Sequence, residues 1–171
     1  MTGLTLRPAI AQDAAALARL HHQVWTETYA DLAPPQAIVA LTEAHRLASW
    51  TAMLARQDLT TRIALHGDTA AGLVCFGAAS DPVFAPLPEI RHLYLLAAYR
   101  GQGQGRRLLD AALDALRAAG HPGAALAVVE QNHAARAFYA RSGGIEAQGF
   151  IDKGPLWRSE NRLVTWTFPQ D

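Results

Sequence analysis

Hydrophobic residues along this chain change their spacing several times, and each change predicts an element. Over residues 11–29, Leu17, Leu20, Val24 and Thr28 recur at helical intervals, with Asp13 near the favourable N-terminal end. Trp25 and Tyr29 are four apart and share the margin of that stripe. His21 and His22 stand about 100° apart on the same helix, cannot face one another, and read as surface histidines. Ahead of this helix, residues 4–7 read as a short strand stopped by Pro8. Behind it come a loop at 31–35 and helical segments at 36–41 and 43–56, the second carrying Leu47, Trp50 and Leu54 toward the core. Residues 62–66 and 70–79 read as two strands around the turn Gly67-Asp68-Thr69. The prolines within 80–88 predict a loop. Residues 124–129 are apolar almost throughout, as a strand buried on both faces is. Asn132 is a good N-cap for a helix reaching Arg141, where Gly143-Gly144 ends it. Strands near 145–151 and 162–168 complete the pattern.

The stretch from Glu89 to Gly105 organises the rest. Its first half alternates with bulky residues, as a strand should, while Gly101, Gly103 and Gly105 leave the second half nothing to pack. Leu109, Ala112, Leu113 and Leu116 then recur at helical spacing, with Gly120 and Pro122 as a stop. Strand, glycine turn and helix follow one another. Glycines admit positive φ and close approach of a ligand to the main chain. The helix start adds free N–H groups and the positive end of its dipole, which together make a phosphate site.

Three glycine-loop chemistries compete for this segment. A nucleoside-triphosphate loop requires Lys-Ser/Thr where Arg106-Arg107 stand. A dinucleotide loop requires a third glycine where Arg106 falls, and a following βαβ unit with a suitable acid. The third pattern, Arg/Gln-x-x-Gly-x-Gly/Ala, is met throughout by Arg100-Gly101-Gln102-Gly103-Gln104-Gly105. Arg106 and Arg107 occupy the first helical turn, where the dipole disfavours cations and a bound polyanion would reverse that sign.

Composition narrows the partners. At 171 residues and half hydrophobic, the chain reads as a single domain over 1–171. Zero formal net charge gives no footprint for nucleic acid or an anionic membrane. No leader or membrane-length apolar run is visible, so a cytoplasmic location is the expectation. Cys75, the single cysteine, sits in Leu73-Val74-Cys75-Phe76 and reads as a buried inert thiol. No Cys-x-x-Cys, His-Glu-x-x-His or Gly-x-Ser-x-Gly occurs, and the histidines lack metal-ligand spacing, so no metal is expected.

The glycine loop resembles the acetyl-coenzyme A loop of the GNAT superfamily of N-acetyltransferases. A second stretch, Asn132-His133-Ala134-Ala135-Arg136-Ala137-Phe138-Tyr139-Ala140-Arg141-Ser142-Gly143-Gly144, is similar to the family's Asn-x-x-Ala-x-x-Phe-Tyr-x-x-x-Gly segment. The two occur in the family's order. The resemblance implies an α/β (α+β) fold: a mixed, mostly antiparallel sheet, its fourth and fifth strands splayed, with helices on both faces. Acetyl-CoA would lie in the splay. Its contacts would fall on Leu95, Leu96 and Ala97 of the fourth strand and its end, and on Arg100, Gly101, Gln102, Gly103, Gln104, Gly105 and Arg106 of the loop. Asn132, Arg136 and Tyr139 would follow on the later helix. Tyr139 matches the family's acid and Glu89 its general base, commonly acting through water. Gly143-Gly144-Ile145 departs from the commoner Gly-Phe, and residues 153–158 carry no motif.

Elementary chemistry bears on these roles. An alkylamine near pKa 10.4 costs roughly 4.6 kcal/mol to deprotonate at pH 7, so a base beside it is useful. A departing thiolate needs a donor that is still protonated, as a phenol near 10 is. Glu89 and Arg91 alternate onto one face, with a structural ion pair as the competing reading, and His92, the weaker candidate base, onto the other. The main-chain N–H of Leu95 or Leu96 is placed to polarise the thioester carbonyl. The expected acceptor is a small-molecule amine, with Trp25 and Tyr29 lining its pocket. Acidic acceptors are disfavoured by the absence of a basic surface. A protein lysine or N-terminus, or a module that binds acetyl-CoA without turnover, are the rival readings, and homodimerisation stays open.

Overall fold

The computed structural model describes residues 3–169. Seven strands form one sheet in the order β1-β2-β3-β4-β5-β7-β6. They are β1 (Thr5–Pro8), β2 (Leu59–His66), β3 (Thr69–Gly77), β4 (Glu89–Leu95), β5 (Gly123–Val129), β6 (Ile145–Ile151) and β7 (Glu160–Thr167). Every neighbouring pair is antiparallel except β4 and β5, which run parallel. That exception creates the site. β4 and β5 share a single register pair, Glu89 opposite Ala125, after which the strands part.

The helices are α1 (Ala14–Tyr29), α2 (Pro35–Ala40), α3 (Glu43–Leu54), α4 (Gln104–Ala118) and α5 (His133–Arg141). Leu17, Leu20 and Val24 of α1 and Trp50 of α3 bury against Ile63, Leu73 and Cys75 on one face of the sheet. On the other face, Leu108, Leu109, Ala112, Leu113 and Leu116 of α4 pack over Val74, Phe76, Leu126 and Val164. The helical stripes and the strand alternation therefore meet in two cores, one on each side. Thr42 and Asn132 cap α3 and α5 by accepting from the backbone N–H groups of His45 and Ala135. No helix of the described residues is long and apolar enough to cross a membrane.

Two expectations fail, each for a local reason. His21 is buried rather than superficial, and its Nδ1 accepts from Trp50 Nε1 at 3.2 Å. A helix turns about 100° between neighbours, so of the pair it is His21 that faces the sheet, while His22 Nδ1 lies 3.2 Å from the Leu41 carbonyl oxygen. The second concerns β4. Ile90 stands opposite Phe76 and His92 opposite Cys75, so β4 carries one extra residue, Arg91. This bulge resets the alternation. Glu89, opposite Gly77, and His92, opposite Cys75, consequently share the face covered by α1 and α3.

Candidate active site

The parting of β4 from β5 opens a cleft of about 630 Å³. Its walls come from α1 (Val24, Glu27, Thr28, Tyr29), β4 (Ile90 to Leu95), the loop after β4 (Arg100, Gly101, Gly103) and α5 (Ala135, Phe138, Tyr139). Asn132 and Arg141, at the two ends of the α5 segment, also line it.

Backbone polarity along β4 follows from pairing. Leu96 N–H donates to Ala71 O at 2.9 Å, toward β3. Successive N–H groups of an extended strand point in opposite directions, so those of Leu95 and Leu93 point away from β3, into the cleft. Leu96 is thus excluded as a main-chain donor to a ligand, and Leu93 joins Leu95. Leu96 and Ala97 do not line the cleft.

The loop behaves as its glycines require. Gly101 and Gly103 have φ of 72° and 77°, a region that costs other residues about 1–2 kcal/mol. Gly103 is the N-cap of α4, whose first backbone bond is Arg107 N–H to Gly103 O at 3.0 Å. The N–H groups of Gln104, Gly105 and Arg106 precede any intrahelical acceptor. An anion at this helix start meets those donors and the positive dipole end. Arg100 braces the loop, its Nε donating to Leu95 O at 3.0 Å, and Gln102 Nε2 donates to Ala98 O at 2.9 Å. Arg106 pairs with Asp110 across one exposed helical turn at 2.7 Å, a contact weak enough for a phosphate to displace. Arg107 instead reaches across to Leu4 O at 2.6 Å. The residues present therefore fit a pantetheine arm along β4 and a pyrophosphate at α4.

Tyr139 is 9% exposed and lines the cleft, its ring against Phe138 and Trp166. Burial raises its phenol pKa above the ordinary value, so the hydroxyl stays protonated at neutral pH. That hydroxyl bonds to none of the described residues, unlike Tyr29, whose oxygen accepts from Asn132 Nδ2 at 3.1 Å. Asn132 thereby ties α1 to α5 while its Oδ1 caps α5. Trp166 explains the Gly-Gly departure: a Cβ on Gly144 would come 2.8 Å from its indole and 2.6 Å from Val164 Cγ1.

Other expected residues lie farther out. Glu89 is buried outside the cleft lining; its Oε2 accepts from Ser80 N–H at 2.7 Å and stands 3.9 Å from Arg91 Nε. Its Oε1 is bonded to no described residue. Arg136 pairs twice with Glu146, at 2.6 and 2.9 Å, and donates to Glu130 O, which leaves it away from the cleft lining. Trp25 is buried behind Tyr29. Residues 153–158, which carry no motif, supply Trp157, which meets Trp25 and Tyr29 edge-on at 6.1 and 5.4 Å between ring centres.

Sequence reasoning missed Glu27 and Tyr94 and held His92 only as the weaker candidate base; all three line the cleft. Glu27 sits on the exposed side of the α1 stripe, a signal the pattern did contain. The bulge hid the face that His92 takes. Burial first, then the nearby Arg46 and Arg91 charges, push its pKa down to about 3, so it is neutral throughout the physiological range.

Comparison with known proteins agrees with this geometry. The sequence model of the acetyltransferase (GNAT) family matches residues 17–144. Curated protein sequences return no match. Among solved structures, the chain is similar to the PaiA N-acetyltransferase of Thermoplasma acidophilum in complex with coenzyme A, at 19% identity and TM-score 0.78, over 96% of this chain and 99% of that one. It is also similar to YncA from Salmonella typhimurium with its cofactor acetyl-CoA, at 20% identity and TM-score 0.72, over 98% and 95%. A third is the spermidine N-acetyltransferase SpeG of Vibrio cholerae, in an F149G mutant, at 15% identity and TM-score 0.66, over 98% and 95%.

Proposed function

The chain belongs to the GNAT acetyltransferase family, whose members depend on acetyl-CoA, and from that premise we propose that it acetylates a primary amine of a small molecule by direct transfer. One observation carries the reading: the unpaired edge of β4 and the unpartnered Tyr139 hydroxyl line the same cleft. Acetyl-CoA supplies an activated acetyl group as its thioester. The N–H groups of Leu93 and Leu95 orient the pantetheine arm, and the start of α4 holds the pyrophosphate. Tyr139 keeps its proton at Oη until the sulfur leaves and then donates it there. Glu89 serves as base at one remove, its Oε1 taking the amine's proton through water, while Ser80 holds Oε2 in place. Tyr29, Trp157 and Glu27 form the acceptor wall, where aromatic faces and a carboxylate suit an amine. A spermidine N-acetyltransferase among the structural relatives supports an amine as acceptor.

The test is a panel of small amines incubated with acetyl-CoA, followed for free thiol and for acetylated amine by mass. Matched release of thiol and acetylated amine is expected. Thiol released without acetylated amine, or only a protein lysine modified, would contradict the reading.

A further inference from the structure

Beside the proposed acceptor wall lies a charge that nothing among the described residues balances. Arg46, at the end of the first turn of α3, is 8% exposed. Its Nε and Nη2 are sealed from solvent and have no hydrogen-bond partner among the described residues, and only Nη1 escapes that seal. The guanidinium lies over the Trp25 ring, 5.2 Å from its centre. It stands close enough to the cleft-lining Tyr94 and His92 for its charge to act on both. Burial lowers its own pKa, and no carboxylate raises it.

An unpaired buried cation costs several kcal/mol, and buried polar groups are ordinarily satisfied. Arg136 and Arg162 obey that rule by pairing with Glu146 and Glu130, while Arg62 leaves its Nε alone buried without a partner among the described residues. Arg46 breaks it beside the acceptor wall. A planar fork stacked on an indole and short of acceptors is the arrangement that takes a carboxylate side-on, through the paired N–H donors of Nε and Nη2. The neighbouring His21 and His92 carry no compensating or competing charge near neutrality, since burial lowers both pKa values.

We propose that Arg46 is an acceptor-binding residue that recognises a carboxylate on the amine to be acetylated, so that the substrate is an amino acid or a compound built like one. The inference rests on the acceptor reading given above and narrows it. It also reverses the expectation drawn from zero net charge, because one desolvated arginine selects an anion that the surface as a whole does not attract.

The experiment loads the enzyme with coenzyme A and titrates N-acetylated alanine, leucine, phenylalanine and tyrosine against their carboxamides by calorimetry. These product-like probes read binding without turnover. Wild type should prefer the acid of at least one pair, and Arg46→Gln should erase that preference, a loss of about 10- to 100-fold in affinity for the acid alone. Arg46→Lys, which keeps the charge and loses the fork, should retain part of it. A panel without any acid preference in wild type, whether through equal binding or none, overturns the proposal. So does a preference that survives Arg46→Gln. Coenzyme A binding, measured first on each variant, separates this failure from failure of the acetyltransferase reading and from loss of folding.

Discussion

The two halves of the cleft are built on different principles. The donor half, formed by the edge of β4, the glycine loop and the start of α4, offers main-chain N–H groups positioned by strand pairing, by two left-handed glycines and by a helix terminus. The half proposed for the acceptor is lined by Glu27 and Tyr29 of α1, with Trp157 against Tyr29 and Arg46 over Trp25 behind them, side chains gathered from distant places. Backbone recognition suits an invariant ligand and tolerates almost any side chain except at the glycines. Side-chain recognition sets the choice of acceptor and depends on every residue present. Substitutions should therefore divide cleanly, those in one half changing cofactor affinity and those in the other changing acceptor KM.

The largest departure from that division is expected where the halves meet. Tyr139→Phe keeps the packing against Phe138 and Trp166 and should lower turnover by roughly 10- to 10⁴-fold with cofactor affinity unchanged. Steady-state kinetics beside calorimetry would show it, and undiminished turnover with chemistry rate-limiting would remove the residue from the mechanism. Gly103→Val comes next. A β-branched residue at φ 77° is strained by about 1–2 kcal/mol or more, and acetyl-CoA affinity should fall about 10-fold or more. A folded variant with unaltered affinity would separate the loop from the pyrophosphate. Glu89→Gln should slow turnover near neutral pH and recover toward pH 10 as free amine accumulates, whereas a wild-type to mutant ratio flat from pH 6 to 10 would leave Glu89 only its bond to Ser80.

Smaller effects probe the acceptor wall. Trp157→Ala removes two edge-on ring contacts worth about 0.5–1.5 kcal/mol each and should raise acceptor KM severalfold without touching cofactor affinity. Trp25→Ala, buried behind Tyr29, should lower thermal stability as well. Equal stability losses in the two variants would erase the distinction between wall and support.

Legibility followed the same line. Glycine spacing, a helix start and the Asn132–Tyr139 segment are local features, so the donor half and the helical stripes could be read from the residues in order. The splay of β4 from β5 and the helices on both faces of the sheet followed from the family resemblance and are present. What stayed hidden was tertiary. One extra residue at Arg91 reversed the faces of β4 relative to Glu89, and no residue type announces a bulge. Trp157 sits in a segment without periodicity and reaches Trp25 only through the fold. Arg46 looks in sequence like any polar residue on an amphipathic helix, and only its burial gives it meaning.

The most direct test of the account is amide hydrogen exchange on β4, read residue by residue by NMR with and without acetyl-CoA. Leu93 and Leu95 N–H groups face the open side of β4, while Leu96 N–H is bonded to Ala71 O. The account predicts that saturating acetyl-CoA slows exchange at Leu93 and Leu95 and leaves Leu96 protected throughout. Exchange at Leu93 and Leu95 that is unchanged by bound acetyl-CoA would contradict it.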